Sequence, residues 1–377
     1  MNQDDDLAYS SVEFSRTQGI FSATALGGSV LLGIAVFVAG AQLIQQSETH
    51  TPLVFLITPL LFLPLILSCI QRSSGTLSNT SFYAAARASG SPVRLFFIAW
   101  LMLAGYLTLG ALLAYGAGIR ANTALEHVLG LKVGQELVIV LIVAVAFVKE
   151  ILTKGISWRG RTIVFWVCAL LLIVLSVLVT VAHYRSGTRI PKSQPLQHWL
   201  IAVSMLASTL WIIDILLSYR GQFRHPIRTT FWSLICIFGG GCVLSALVSA
   251  EILRNPSLLM QNWVSVLSWH ETRLELLILI AGFLICVSGL LRVMMRTSRL
   301  LGTMIIDGAL PSSKEKKEYS TYYAILFAIL LATSAIFLSV TYLLLISGFT
   351  ALLSLLLYLQ PLLKKDLSRV ARISLPF

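Results

Sequence analysis

The sequence is short of charge: only 12% of its 377 residues are charged, against 57% hydrophobic. Soluble domains carry about 25% charged residues, so a soluble chain of this length would lack the polar surface to cover its core. Lipid as the solvent for most of the surface removes that difficulty. Acidic residues are the scarcer sign, 16 against 28 basic ones. The basic residues are not gathered on one amphipathic element, as a nucleic-acid surface would require. They lie between apolar runs, where they meet a membrane surface, and no nucleic-acid partner is expected. Cysteine is sparse too. Cys69, Cys168, Cys236, Cys242 and Cys286 all fall in apolar runs without metal-ligand spacing, and are read as small buried hydrophobes. The six histidines are scattered singly, so neither a metal centre nor a cofactor is expected.

Also missing are a basic leader with a cleavage site (the chain opens with Asp4-Asp5-Asp6), a nucleophile elbow, a phosphate loop and a dinucleotide fingerprint. No acid, base and nucleophile converge, so an enzyme is not expected.

What is present is a series of long apolar runs, roughly 19–45, 52–70, 94–118, 135–152, 162–183, 197–219, 231–253, 274–297, 321–339 and 342–362. Each approaches the roughly 20 residues that span a hydrocarbon layer about 30 Å thick. The last two nearly merge; as one helix they would measure about 63 Å, twice that thickness, so the chain must turn back. The expected fold is an all-α integral membrane protein of about ten transmembrane helices. Lys and Arg set its orientation. With the N-terminus in the cytoplasm, only Arg120, Lys132, Arg185, Arg189, Lys192, Arg254 and Arg273 of the 28 basic residues fall outside. Both ends are therefore expected in the cytoplasm of a multi-pass cell-membrane protein, of bacterial inner-membrane type. On that side, the sequon Asn79-Thr80-Ser81 is without meaning. The apolar stretch around Trp263 and Trp269 is read as an interfacial helix. No linker divides the chain: residues 1–377 form one membrane domain with cytoplasmic tails at 1–16 and 364–377.

Three features could carry chemistry. The first run holds Gly27, Gly28, Ser29 and Gly33 near mid-membrane. Each glycine weakens a helix by about 1 kcal/mol relative to alanine. The cluster fits either close helix packing through small residues or a broken helix whose freed backbone groups hold a solute. Asp214 is the one acidic residue well inside an apolar run, which makes it either a functional group or a satisfied buried hydrogen-bonding group. Arg292, Arg296 and Arg299 share one helix face and are expected to reach to the inner interface.

Four motifs in register then give a resemblance. Ser298-Arg299 followed by Asp307-Gly308-Ala309-Leu310-Pro311 is similar to S-R-x7-D-G-x-x-P of the amino acid–polyamine–organocation (APC) transporters. Asp214 with Pro226 and Arg228 resembles that family's acidic-to-NPxR segment. Phe82-Tyr83 with Arg87, Gly90, Pro92 and Trp100 resembles its Y-x-Y-x-R-x-x-x-G-P…G-W segment. Gly155 to Arg161 resembles its G-x-x-x-S-G-R motif.

The resemblance implies a 5+5 inverted-repeat transporter fold, with repeats at about 17–184 and 196–363 and spans 1 and 6 discontinuous. It implies secondary transport of an amino acid, amine or related small organic solute by alternating access. The substrate-binding residues would be Ser29, Gly33, Ile34 and Ala35 on one side and Ser208, Trp211 and Asp214 on the other. The family's first-span glycine pattern survives here only as Ser29, Gly33, Ala35 and Phe37, with Ile34 at its small polar position. Leu170 stands where some proton-coupled members keep a lysine. Leu170 leaves that coupling route unexpected, while the eroded first-span pattern and the want of an eleventh and twelfth span support the alternative, a non-transporting subunit that senses or scaffolds. The implied partners are a small-molecule solute, the lipid bilayer, and a membrane protein or a second copy of the chain.

Overall fold

The computed structural model describes residues 17–47, 50–73, 82–88, 91–152, 158–183, 196–254, 272–310 and 316–373. Among them there is no strand, only an isolated bridge between Gln18 and Phe223. The first crossing is α1 (Ile20–Ala35) with α2 (Ala39–Ser47), and the second is α3 (Thr51–Ser73). A short α4 (Phe82–Ala88) leads into α5 (Pro92–Leu129), followed by α6 (Gln135–Leu152) and α7 (Trp158–His183). The sixth crossing is α8 (Leu196–Leu206), a 3-10 turn (Ala207–Leu210) and α9 (Trp211–Ser218). Next come α10 (Pro226–Ile235), a π-helical turn (Cys236–Gly240) and α11 (Gly241–Arg254), then α12 (Thr272–Ile306), α13 (Lys316–Phe337) and α14 (Val340–Ile373). Each of the ten apolar runs thus holds a helix. Six crossings among the described residues are long and apolar enough to span a membrane by length and composition alone. The last two runs part at Leu338 and Ser339, as their combined length required. The Trp263–Trp269 stretch and the sequon lie outside the described residues.

Local chemistry explains where the longest helix starts and stops. Ser91 accepts the Arg94 N–H at the N-terminus of α5, and Pro92 occupies its first turn, where its missing N–H costs nothing. α5 then runs for 38 residues until Gly130, whose φ of 65° closes it in the left-handed conformation. Residues 119–129 therefore extend the third span beyond the hydrophobic run. Arg120, counted from the sequence among the outer-face residues, is instead buried inside the bundle.

Large apolar side chains face outward on many helices: Leu60, Leu137, Leu141, Val167, Leu170 and Phe349 are all exposed, as a surface solvated by lipid requires. Leu170 therefore points away from the interior. Four cysteines are buried as expected, but Cys236, at the π-helical turn, is exposed.

Inside, α5 and α12 pack against each other, and α1 lies on them. The glycines of α1 serve close packing. A Cβ at Gly27 would meet Ile212 at 2.6 Å, and one at Gly28 would meet the Phe165 ring at 2.5 Å. The expected break at Gly28–Gly33 does not occur: α1 is regular helix to Ala35. The two neighbouring side chains seated at the glycines fill the space that a break would have opened.

Candidate functional site

The helix loosens one turn later, at Val36–Val38. The Leu32 carbonyl accepts both the Val36 N–H (3.0 Å) and the Phe37 N–H (3.3 Å), and the Ile34 carbonyl accepts from Val38 at 3.2 Å. A regular helix would have given the Phe37 N–H to Gly33. The Gly33 carbonyl faces the Cys286 thiol instead, at 3.9 Å. Two glycines on neighbouring helices admit the turn. A Cβ at Gly282 (α12) would lie 2.7 Å from the Phe37 ring, and one at Gly116 (α5) would lie 2.7 Å from Val38 Cγ2. Above Phe37 lies the Arg120 guanidinium, its Cζ 5.0 Å from the ring centroid. Its Nη1 donates to the Gly116 carbonyl at 3.0 Å.

The second centre is Asp214, fully buried on α9. Its Oδ1 accepts the Phe82 N–H at the start of α4 at 2.7 Å. Its Oδ2 accepts the Tyr106 hydroxyl and the Arg296 Nε, the latter at 3.1 Å. The Arg296 Nη2 stands 3.1 Å from the same oxygen. One carboxylate thus ties α9 to α4, α5 and α12. Burial of an ion pair is tolerable only with further hydrogen bonds, and here the Phe82 N–H and the Tyr106 hydroxyl supply them to the carboxylate. The arginine row therefore does not reach out to an interface as expected: Arg292 and Arg296 are buried, and only Arg299 is exposed, its Cζ 4.9 Å over the Tyr219 ring.

A second clasp holds the far end of α4. Asp307 accepts the Tyr83 hydroxyl at 2.8 Å and pairs with Arg87 at 3.1 Å. Burial, and then the Asp307 carboxylate, push the Tyr83 phenol well above its ordinary value, so it stays protonated and donates. The start of the first span is tied down on the same side. The Gln18 N–H donates to the Gln222 carbonyl (3.1 Å), and the Gln18 carbonyl accepts from Arg224 (2.9 Å).

All seven residues expected at the substrate site are buried, but they fall into separate groups. Ser29 bonds its own Leu26 carbonyl, and Ser208, in the 3-10 turn, bonds the Met205 carbonyl. Gly33, Ile34 and Ala35 lead into the Val36–Val38 turn. Trp211 donates to the Ser347 carbonyl at 3.2 Å and packs on Tyr106, and Asp214 is taken up as described. The face of α9 that meets Gly27 carries Ile212 and Leu216 rather than Asp214. Along α5, Tyr106 beside Asp214 and Arg120 beside the turn are 14 residues apart, about 21 Å at 1.5 Å per residue. Of the groups that define the two centres with Asp214, Tyr106 and Arg120 were not among the expected site residues, and Arg296 was singled out only as part of an arginine row reaching for the interface.

No family model matches the sequence, and no curated protein is similar to it at the sequence level. Solved structures do match. One is a Na+-coupled sialic acid symporter in a substrate-bound outward-open state. It is 13% identical over 92% of this chain and 79% of that one, with a TM-score of 0.62. Another is a nucleobase-cation-symport-1 family transporter in a closed conformation with bromovinylhydantoin bound. It is 16% identical over 93% of this chain and 77% of that one, with a TM-score of 0.63. The chain has the all-α membrane fold of these transporters.

Proposed function

We propose that the chain is a secondary transporter that moves a small organic solute across the membrane by alternating access. One observation carries this reading: in a fold shared with two symporters, the first and sixth spans both leave regular α-helix in the buried interior, at Val36–Val38 and Ala207–Leu210. In lipid, irregular backbone is tolerated only where it is buried in protein or lines a cavity. In carriers of this kind, such breaks flank the solute.

The solute seat then lies at the Val36–Val38 turn, with Gly33, Ile34 and Ala35 leading into it. Asp214 is not the solute ligand. It acts as a lock on the α4 side, holding α9 to α5 and α12 while that side is closed. The order of the four APC-like motifs supports a place near the amino acid–polyamine–organocation transporters, and two repeats at about 17–184 and 196–363 within a single membrane domain. The distribution of Lys and Arg supports an α4 side that faces the cytoplasm.

Uptake into proteoliposomes tests the reading. Saturable uptake of at least one solute from a panel of amino acids, amines, organic acids and nucleobases is the expected result. Failure of the whole panel, with a fixed membrane partner co-purifying, would establish the non-transporting subunit instead.

A further inference from the structure

We infer that Arg120 is the anchor for a carboxylate-bearing solute, so that the cargo is a small organic acid rather than an amine. The inference rests on the transport reading for what is moved, but not for what is bound. Arg120 is 4% exposed. A guanidinium offers five N–H donors. Here Nη1 bonds the Gly116 carbonyl of its own helix, and Nε is buried without a hydrogen-bond partner. Among the described residues its ion-pair partners are none. Asp214 is bound to Arg296, Asp307 to Arg87, and Glu126 to Lys132.

A buried cation without a counter-charge is costly, and the Phe37 ring beneath it compensates only in part. The contrast with Arg296 is direct. Both arginines are buried in the same bundle, but one is matched by a carboxylate and the other stands open beside the loosened turn of the first span. The planar fork of arginine suits two parallel bonds to a carboxylate. The surroundings also favour an anion. α2 begins at Ala39, directly after the turn, and the N–H groups of a helix's first turn carry partial positive charge and lack helical acceptors. No acidic side chain of the described residues is there to hold an ammonium group. The Gly33 carbonyl, held only by the weak Cys286 thiol donor at 3.9 Å, could take a stronger donor elsewhere on the solute, and Phe37 would cover its apolar part.

The test is thermal unfolding of the purified full chain at constant ionic strength. The probes are sodium lactate, succinate, glutamate and benzoate, set against putrescine and adenine. At least one carboxylate is expected to raise the wild-type midpoint by several degrees, with the shift lost in Arg120→Gln and partly kept in Arg120→Lys. Without solute, Arg120→Gln should unfold no lower than wild type, which separates loss of binding from loss of fold. Carboxylate shifts that persist in Arg120→Gln would overturn the assignment. So would shifts given by putrescine or adenine alone, or by no probe. Binding of a carboxylate without uptake would sink transport and leave the anion site. Uptake of amines indifferent to Arg120→Gln would do the reverse.

Discussion

Arg296→Met should destabilise the protein by about 3–5 kcal/mol, the cost of leaving one member of a buried ion pair without the other. Asp214 has no exposure, and the Arg296 side chain is 7% exposed, so water cannot replace the lost partner on either side. Asp214→Asn should be nearly as costly. Its amide leaves Arg296 charged and unmatched, and gives up one of the oxygens shared by Phe82, Tyr106 and Arg296. The double variant Arg296→Met/Asp214→Asn should recover much of the loss, because no buried charge is then left alone. Chemical unfolding in mixed micelles measures all four members of the cycle, and the coupling between the sites is the quantity to compare. Purely additive losses would mean that the pair is not a unit.

The second large effect concerns glycines whose role is close approach. A Cβ at Gly348 would sit 2.2 Å from the Ser204 carbonyl oxygen, and one at Gly105 would sit 2.0 Å from the Trp211 ring. At Gly348 the obstacle is backbone, which no rotamer relieves, so α14 and α8 must separate. Overpacking of this kind costs about 1–3 kcal/mol, and Gly348→Ala is expected near the upper end. At Gly105 the Trp211 ring must shift, and its bond to the Ser347 carbonyl goes with it. Gly302 is the control. It lies within α12, and a Cβ there would meet nothing within 4 Å. Gly302→Ala should be neutral or stabilising by up to about 1 kcal/mol from helix propensity alone. The same unfolding assay ranks the three.

The helices were legible in the sequence because lipid demands long apolar runs, and ten such runs were present. Helix ends were less so. Hydropathy ends the third span at residue 118, but no glycine or proline stops the chain before Gly130. Reading the stop residue rather than the last apolar one would have placed Arg120 inside. Likewise, α12 continues past residue 297 to Ile306, where Gly308 (φ 73°) closes it; this carries Arg296 into the interior.

The break in the first span was misplaced for a different reason. Glycine permits both a break and a close contact, and only the neighbours decide between them. Ile212, Ile237 and Phe165 fill the space at Gly27 and Gly28. Val36, Phe37 and Val38 carry no breaker residue, and their turn is made possible by Gly116 and Gly282 on other helices. Asp214 stood out as a buried acid. Its partners come from positions 82, 106 and 296, far apart along the chain, and no local spacing joins them.

A carrier with this lock must let α9 part from α5 and α12 on the α4 side when the bonds to Asp214 open. Spin labels at Gln222→Cys, in the turn that follows α9, and Ile306→Cys, at the end of α12, report it directly once the exposed Cys236 is replaced by serine. Pulsed electron resonance in lipid should give two distances for the otherwise unaltered chain, with the Asp214→Asn/Arg296→Met pair moving the population to the longer one. A single distance, unmoved by the paired substitution, would contradict a carrier and describe a rigid membrane scaffold.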